Sequence, residues 1–184
     1  MNQTGRRLLI TIDGPCASGK TTLARKLAET LQANVIHTDD FVIPHAQKTP
    51  ERLAIPGGNC DGERIEREIL APWNSGQTVR YRRYNCKKDC LGPEEELPEQ
   101  PVLILEGSYC NLPVIRKYAD VRLFMNVPEE IRMARLKERE SPESLKQFTA
   151  RWIPLEKAYF EAYHLPDESN IVLTFSPAEE NTNR

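Results

Sequence analysis

RLLITIDGPCASGKTTL, residues 7–23, decides the fold. An apolar run, Leu8-Leu9-Ile10-Thr11-Ile12, ends in Asp13 and gives way to Gly14-Pro15-Cys16-Ala17-Ser18-Gly19-Lys20-Thr21. That is G-x-x-x-x-G-K-[ST], with a strand before it and a helix after it, the context the motif requires. The glycines let the backbone turn tightly and approach an anion. Successive N–H groups line a concavity, and the helix N-terminus adds partial positive charge. Lys20 is long enough to reach the outer phosphates of a triphosphate, and the Thr21 hydroxyl can ligate Mg²⁺.

Downstream, Leu23, Leu27 and Leu31 recur at fourfold spacing beside Ala24 and Ala28, which predicts a helix over about 20–32. Val35-Ile36 leads into His37-Thr38-Asp39-Asp40-Phe41 and reads as strand two ending in a carboxylate pair. Pro44, Pro50, Pro56, Gly57 and Gly58 mark residues 44–60 as a loop. Residues 61–70 read as a helix, with Asp61 as its N-cap and Pro72 closing it. Residues 76–100 are polar, charged and proline-bounded, and read as an excursion over the active face. PVLILEG, 101–107, is a buried strand, and residues 112–118 are a short helix or turn. DVRLFMNV, 120–127, is strand four. Pro128 at the first helical position and Glu129-Glu130 in the first turn start a helix that runs to about 140. A second helical stretch covers about 142–163 and is open to interruption at Pro154. IVLTF, 171–175, is strand five, and residues 177–184 form a polar tail that is expected to fray. Strands alternating with helices imply an α/β fold, a parallel sheet with helices on both faces.

At 184 residues the chain reads as one domain with a real core. Twenty-five basic against 27 acidic residues give a net charge of −2, which argues against a general nucleic-acid binder. No stretch approaches the roughly 20 apolar residues of a membrane span. MNQTGRRLLITI at the N-terminus has no signal-peptide pattern, so a cytoplasmic protein is expected. Cys16, Cys60, Cys86, Cys90 and Cys110 are read as reduced thiols. Cys86-x-x-x-Cys90 lacks the second pair or nearby His that zinc needs. His37, His45 and His164 are read as ordinary surface or loop residues.

Ligands of open parallel sheets bind beyond the carboxyl ends of the strands. The polar residues closing strands one, two and three are Asp13, Asp39-Asp40 and Glu106, all on the edge of the phosphate loop. Thr21 and Glu106 are candidate Mg²⁺ partners, Glu106 through water. Asp39 can take a proton from an alcohol attacking the γ-phosphorus and can also touch the metal's water shell. Asp40 stays open as an alternative base. A strand-end turn is the plainer reading of both the Asp pair and Glu106-Gly107. Arg132, Arg135 and Arg139 stand at i, i+3, i+7 on one helix face, with Ile131 and Ala134 marking the adjacent apolar face. Such a row can neutralise a transferring phosphoryl group; Arg135 is assigned to that role, and Arg132 and Arg139 to the nucleotide. A solvated charged face is the plainer reading. Arg80, Arg82, Arg83, Lys87 and Lys88 with Tyr81 and Tyr84 form a basic–aromatic patch, either a ligand surface or a solvated loop.

These residues resemble the uridine kinase-like branch of the P-loop nucleoside kinases, which includes phosphoribulokinase and pantothenate kinase relatives. The resemblance is carried by GPCASGKTT (14–22), TDDF (38–41), NCDGERIEREILAPW (59–73), YRRYNCKKDCL (81–91), LILEGSY (103–109), the three arginines, and WIPLEKAYF (152–160). It spans roughly residues 6–175. It implies a P-loop NTPase three-layer sandwich with a five-stranded sheet of order 2-3-1-4-5. It also implies transfer of the γ-phosphate of ATP, with Mg²⁺, to a pyrimidine ribonucleoside 5′-hydroxyl in nucleoside salvage. On that resemblance residues 14–22 bind nucleotide, Asp39 is the base, Asp61 and Arg64 lie near the ribose, and Tyr84 lies near the nucleobase. The single domain, 1–184, would then carry an acceptor-side insertion over about 44–100 and a lid over about 132–150. Val42, Asn85 and the short 138–150 segment depart from the better-known members. The alternatives are therefore a kinase of another small alcohol, such as pantothenate, a sugar or another nucleoside, or a regulatory P-loop ATPase. An AAA-type ATPase would close a strand with Asp-Glu, where this chain has Leu105-Glu106-Gly107. A small-molecule acceptor is the expected partner, with neither nucleic acid nor membrane, and a homo-oligomer stays open.

Overall fold

The structure is a computed structural model that describes residues 7–175, so the tail expected to fray lies outside the described residues. Five parallel strands form the central sheet: β1 (Leu8–Asp13), β2 (Ala33–His37), β5 (Val102–Glu106), β6 (Val121–Asn126) and β7 (Ile171–Thr174). Their order is β2-β5-β1-β6-β7. This corrects the expected 2-3-1-4-5, which did not count two strands of the chain. The stretch read as an excursion is an antiparallel hairpin, β3 (Arg80–Asn85) and β4 (Cys90–Glu96), and it precedes the third strand of the main sheet.

Alternation along the strands divides the core. Leu9, Leu103 and Leu105 point to one face, with Phe41, Ile65, Ile69, Leu70, Ile115 and Tyr159. Ile10, Ile12, Ile104 and Met125 point to the other, where Ala24, Leu23 and Leu27 of helix α1 (Lys20–Leu31) pack. The short helices α2 (Pro50–Ala54), α3 (Gly62–Ile65), α4 (Ala71–Asn74) and α5 (Pro113–Arg116) precede three further helices, α6 (Glu129–Arg139), α7 (Pro142–Gln147) and α8 (Ile153–Ala162).

One expected helix end moved. Pro72 does not close its helix, because a π-helical turn, Glu66–Leu70, joins α3 to α4 and the chain continues to Asn74. A second π-turn, Phe148–Trp152, joins α7 to α8 just before Pro154. In each case a wider turn precedes a residue that has no N–H to donate. Asp61 caps α3 as expected, its Oδ1 accepting from Arg64 N at 3.0 Å.

Candidate active site

Strand register sets the geometry of the site. Glu106 at the end of β5 lies beside His37 of β2 on one side and Ile12 of β1 on the other. The chain leaves β1 through Asp13 into the phosphate loop, where Gly14 has φ +141°, Ala17 +59° and Gly19 +96°. A Cβ on Gly14 would lie 2.7 Å from the carbonyl oxygen of Met125, so no larger residue fits. Lys20 Nζ donates to the carbonyls of Gly14 (2.7 Å) and Pro15 (3.0 Å). Ser18 Oγ is buried with no hydrogen-bond partner.

Thr21 Oγ1 donates to Glu106 Oε1 at 3.0 Å, and His37 Nδ1 meets the same oxygen at 2.5 Å. That bond raises the His37 pKa, against the opposing effect of burial. His37 is therefore part of the strand-end cluster and not the ordinary surface or loop residue expected. Asp39 sits in the 3₁₀ turn Thr38–Phe41 that follows β2. The turn is fixed by Thr38 Oγ1 donating to the carbonyl of Ser108 at 2.8 Å. Asp39 is exposed and lines the cavity. Desolvation lifts its carboxyl above the usual range; Lys20 opposes this and Glu106 reinforces it. Asp40 turns away toward Arg83 at 3.7 Å and is absent from the cavity wall.

An orphaned buried hydroxyl inside a loop with left-handed turns fits a phosphate oxygen. The Thr21–Glu106 pair offers the hard oxygen ligands that suit Mg²⁺. Among the described residues, the cavity they share has a volume of about 930 Å³ and extends past Asp39 to Asn59, Tyr109 and Trp152.

The three arginines diverge. Arg132 is buried, giving Nε to the carbonyl of Val127 (3.0 Å) and Nη1 to that of Cys16 (3.4 Å). It braces the loop from behind and does not line the cavity. Arg135 donates to the carbonyl of Ala17 at 3.2 Å and lines the cavity, as does the exposed Arg139. The apolar seat of α6 also differs from expectation. Leu136 and Met133 pack with Cys16, Ile153 and Phe148, whereas Ala134 is exposed.

The residues assigned to the acceptor by resemblance are tied up elsewhere. Arg64 donates to the carbonyls of Arg82 (2.6 Å) and Asp40 (2.8 Å), lies 3.4 Å from Asp61 and stacks 4.2 Å over Phe41. Tyr84 Oη donates to Asp89. Asp61, Arg64 and Tyr84 are all absent from the cavity wall. The basic–aromatic patch is largely paired within its own hairpin: Arg80 with Glu96 at 2.8 Å and Arg83 with Glu95 at 2.9 Å. Tyr81 is buried and stacks with Phe41.

Sequence reasoning passed over several cavity residues: Asn59, Tyr109, Arg151, Trp152 and Glu156. Glu156 Oε2 accepts from the phosphate-loop N–H of Cys16 (3.0 Å), and Oε1 accepts from Ser108 Oγ (2.5 Å). All five fall in the stretches 59–73, 103–109 and 152–160 or directly beside them, so the segments were noticed and their roles were not.

Fold and site are those of a P-loop α/β domain, with the phosphate loop at the carboxyl edge of a parallel sheet. The chain belongs to the AAA_18 family, an AAA domain, whose profile matches residues 10–164. It carries that description although β5 closes with Leu105-Glu106-Gly107 and not Asp-Glu. The cytidylate kinase of Pectobacterium carotovorum subsp. carotovorum is 26% identical over 154 residues, 69% of this chain and 67% of that protein. A structure described as a possible uridine kinase from Bacillus stearothermophilus superposes with a TM-score of 0.69 at 21% identity, covering 94% of this chain and 91% of that one. Phosphoribulokinase from Rhodobacter spheroides gives a TM-score of 0.64 at 15% identity, covering 93% and 71%. At such identities the likeness to these structures is one of fold. No helix among the described residues is long and apolar enough to cross a membrane.

Proposed function

We propose that the chain transfers the γ-phosphate of ATP to a hydroxyl of a small alcohol, with the 5′-hydroxyl of uridine or cytidine as the first candidate. The observation that supports this most is the convergence of Asp39 with Lys20, Thr21 and Glu106 on one cavity. A binding loop alone has no use for a carboxylate on the same cavity wall as the phosphate loop. In this reading residues 14–22 hold the triphosphate and Lys20 neutralises its outer phosphates. Thr21 and Glu106 would hold Mg²⁺, which when bound offsets charge on the β- and γ-phosphate oxygens. Asp39 accepts the proton of the attacking hydroxyl. Arg135 and Arg139 cover the transferring group, and residues 132–150 act as a lid.

Nucleoside preference is drawn from resemblance, and the wall itself offers another option. Lys48 and Arg151 line the cavity and would suit an anionic acceptor. An ADP-release screen with ATP and Mg²⁺ tests the proposal, using uridine, cytidine, CMP, ribose, fructose, pantothenate and D-glycerate. Acceptor-dependent ADP release that vanishes in Lys20→Ala is expected. Steady ADP release indifferent to every alcohol would replace this reading with an ATPase.

A further inference from the structure

Asn59 has no role in the chemistry above. The residue is 8% exposed, and its Oδ1 is buried with no hydrogen-bond partner. Among the described residues four buried side-chain atoms lack partners, and two of them belong to cavity-lining residues: Ser18 Oγ and Asn59 Oδ1. The phosphate loop accounts for the first. Nothing in the protein accounts for the second, and such orphans are rare.

The surroundings hold this oxygen in place. Ile43 N donates to the carbonyl of Asn59 at 3.1 Å, Asp61 N donates to that of Phe41 at 2.6 Å, and Val42 bridges Cys60 between them. Asn59 is thereby stitched to the segment that continues from the Asp39 turn. Tyr109 shares the cavity wall with it. Tyr109 has φ +78°, a left-handed backbone that a bulky residue adopts only where its surroundings compel it. Its ring packs edge-on against Tyr159 at 4.9 Å. Backbone strain of this kind concentrates at ligand sites.

We propose that Asn59 Oδ1 accepts a hydrogen bond from the alcohol substrate, from an O–H or N–H other than the hydroxyl that reacts at Asp39. The inference rests on the kinase reading above and narrows its substrate class. A carbonyl oxygen can only accept, and so can an ionised carboxylate. The substrate must therefore bring two donors to this wall, as a diol, a polyol or an amino alcohol does. A monohydric alcohol would leave Asn59 unsatisfied.

The test compares wild type, Asn59→Ala and Asn59→Asp on uridine, ribose and D-glycerate, and on the monodeoxy analogues of each. On whichever alcohol is phosphorylated, wild type should lose about tenfold in kcat/KM with one deoxy analogue. Asn59→Ala should lose about tenfold on the parent alcohol and no longer distinguish that analogue. Asn59→Asp keeps an accepting oxygen and should keep the discrimination. The KM for ATP, unchanged in both variants, reports an intact fold. Equal discrimination by wild type and Asn59→Ala overturns the proposal. Indifference of wild type to every deoxy analogue overturns it too, without needing a variant that folds. Failure of wild type to phosphorylate any alcohol overturns the kinase reading itself.

Discussion

Tyr159 reaches from α8 to the end of β1 and donates its phenolic hydrogen to Asp13 Oδ2 at 2.7 Å. Asn111 N donates to that carboxylate oxygen (3.0 Å) and to Tyr159 Oη (2.9 Å), while Asp13 Oδ1 accepts from Gly14 N (2.7 Å). One buried carboxylate thus ties the first residue of the phosphate loop to α8. Tyr159→Phe keeps the ring and removes one donor to a charged group, a loss of about 1.5–3 kcal/mol. Thermal melts at pH 7 should show it as a drop of roughly 2–4 °C per kcal/mol for a chain of this size. An unchanged midpoint would mean that the bond carries no net stability.

The same carboxylate sets a pH dependence. Burial raises the Asp13 pKa to about 6, and the Tyr159 and backbone hydrogen bonds, with Lys20, only partly offset this. The unfolded chain titrates near 3.8. The native state therefore holds this proton more tightly. The associated stability is fully present below about pH 3.8 and lost as pH rises through about 6. Its size is on the order of 3 kcal/mol. Asp13→Asn cannot titrate, so the stability of wild type relative to this variant should fall by roughly that amount between pH 4 and 7. Denaturant melts at matched pH values measure it. A constant difference would put the Asp13 carboxyl back at its ordinary pKa.

Hydrophobic runs and the G-x-x-x-x-G-K-T spacing were enough to find the five sheet strands, α1 and the carboxylates at the strand ends. These features are local, because a buried parallel strand is apolar throughout and the phosphate loop needs its residues in fixed order. The hairpin was not legible. Arg80, Arg82, Glu94 and Glu96 face solvent in pairs across it, so composition resembled a charged loop while only Tyr81 and Tyr84 are buried. Glu156 and Tyr159 were missed for another reason. Each meets its partner across a long stretch of chain, as Glu156 meets Cys16 and Tyr159 meets Asp13, and no periodicity reports a contact of that kind.

Arg64 offers a direct contest between resemblance and geometry. Resemblance puts it near a ribose, whereas the structure gives its guanidinium to Arg82 and Asp40 carbonyls, Asp61, Glu68 and the Phe41 ring. At 4% exposure it pins the Asp39 turn to α3 and the hairpin. Arg64→Ala should then cost about 3–5 kcal/mol of stability by leaving Asp61 and Glu68 without their partner. At a temperature where the variant stays folded, KM for the alcohol should remain within a few-fold of wild type. A selective rise in that KM with normal stability would restore the ribose role.

Asp39 carries the chemical claim, and its neighbours make the outcome of replacing it specific. Asn at this position keeps the shape of the 3₁₀ turn, because Thr38 Oγ1 and not the Asp39 side chain fixes it to Ser108. It cannot take a proton. Removing a general base lowers turnover by about 10²–10⁴-fold. Nucleotide affinity rests on the loop residues and Lys20, so KM for ATP should change little in Asp39→Asn while kcat collapses. The lifted carboxyl also predicts the shape of the wild-type profile. Asp39 must be ionised to act, so kcat/KM should fall on the acid side at a pH above the ordinary carboxylate range. Full turnover in Asp39→Asn, measured by ADP release at saturating alcohol, would remove Asp39 from the chemistry and return attention to Asp40.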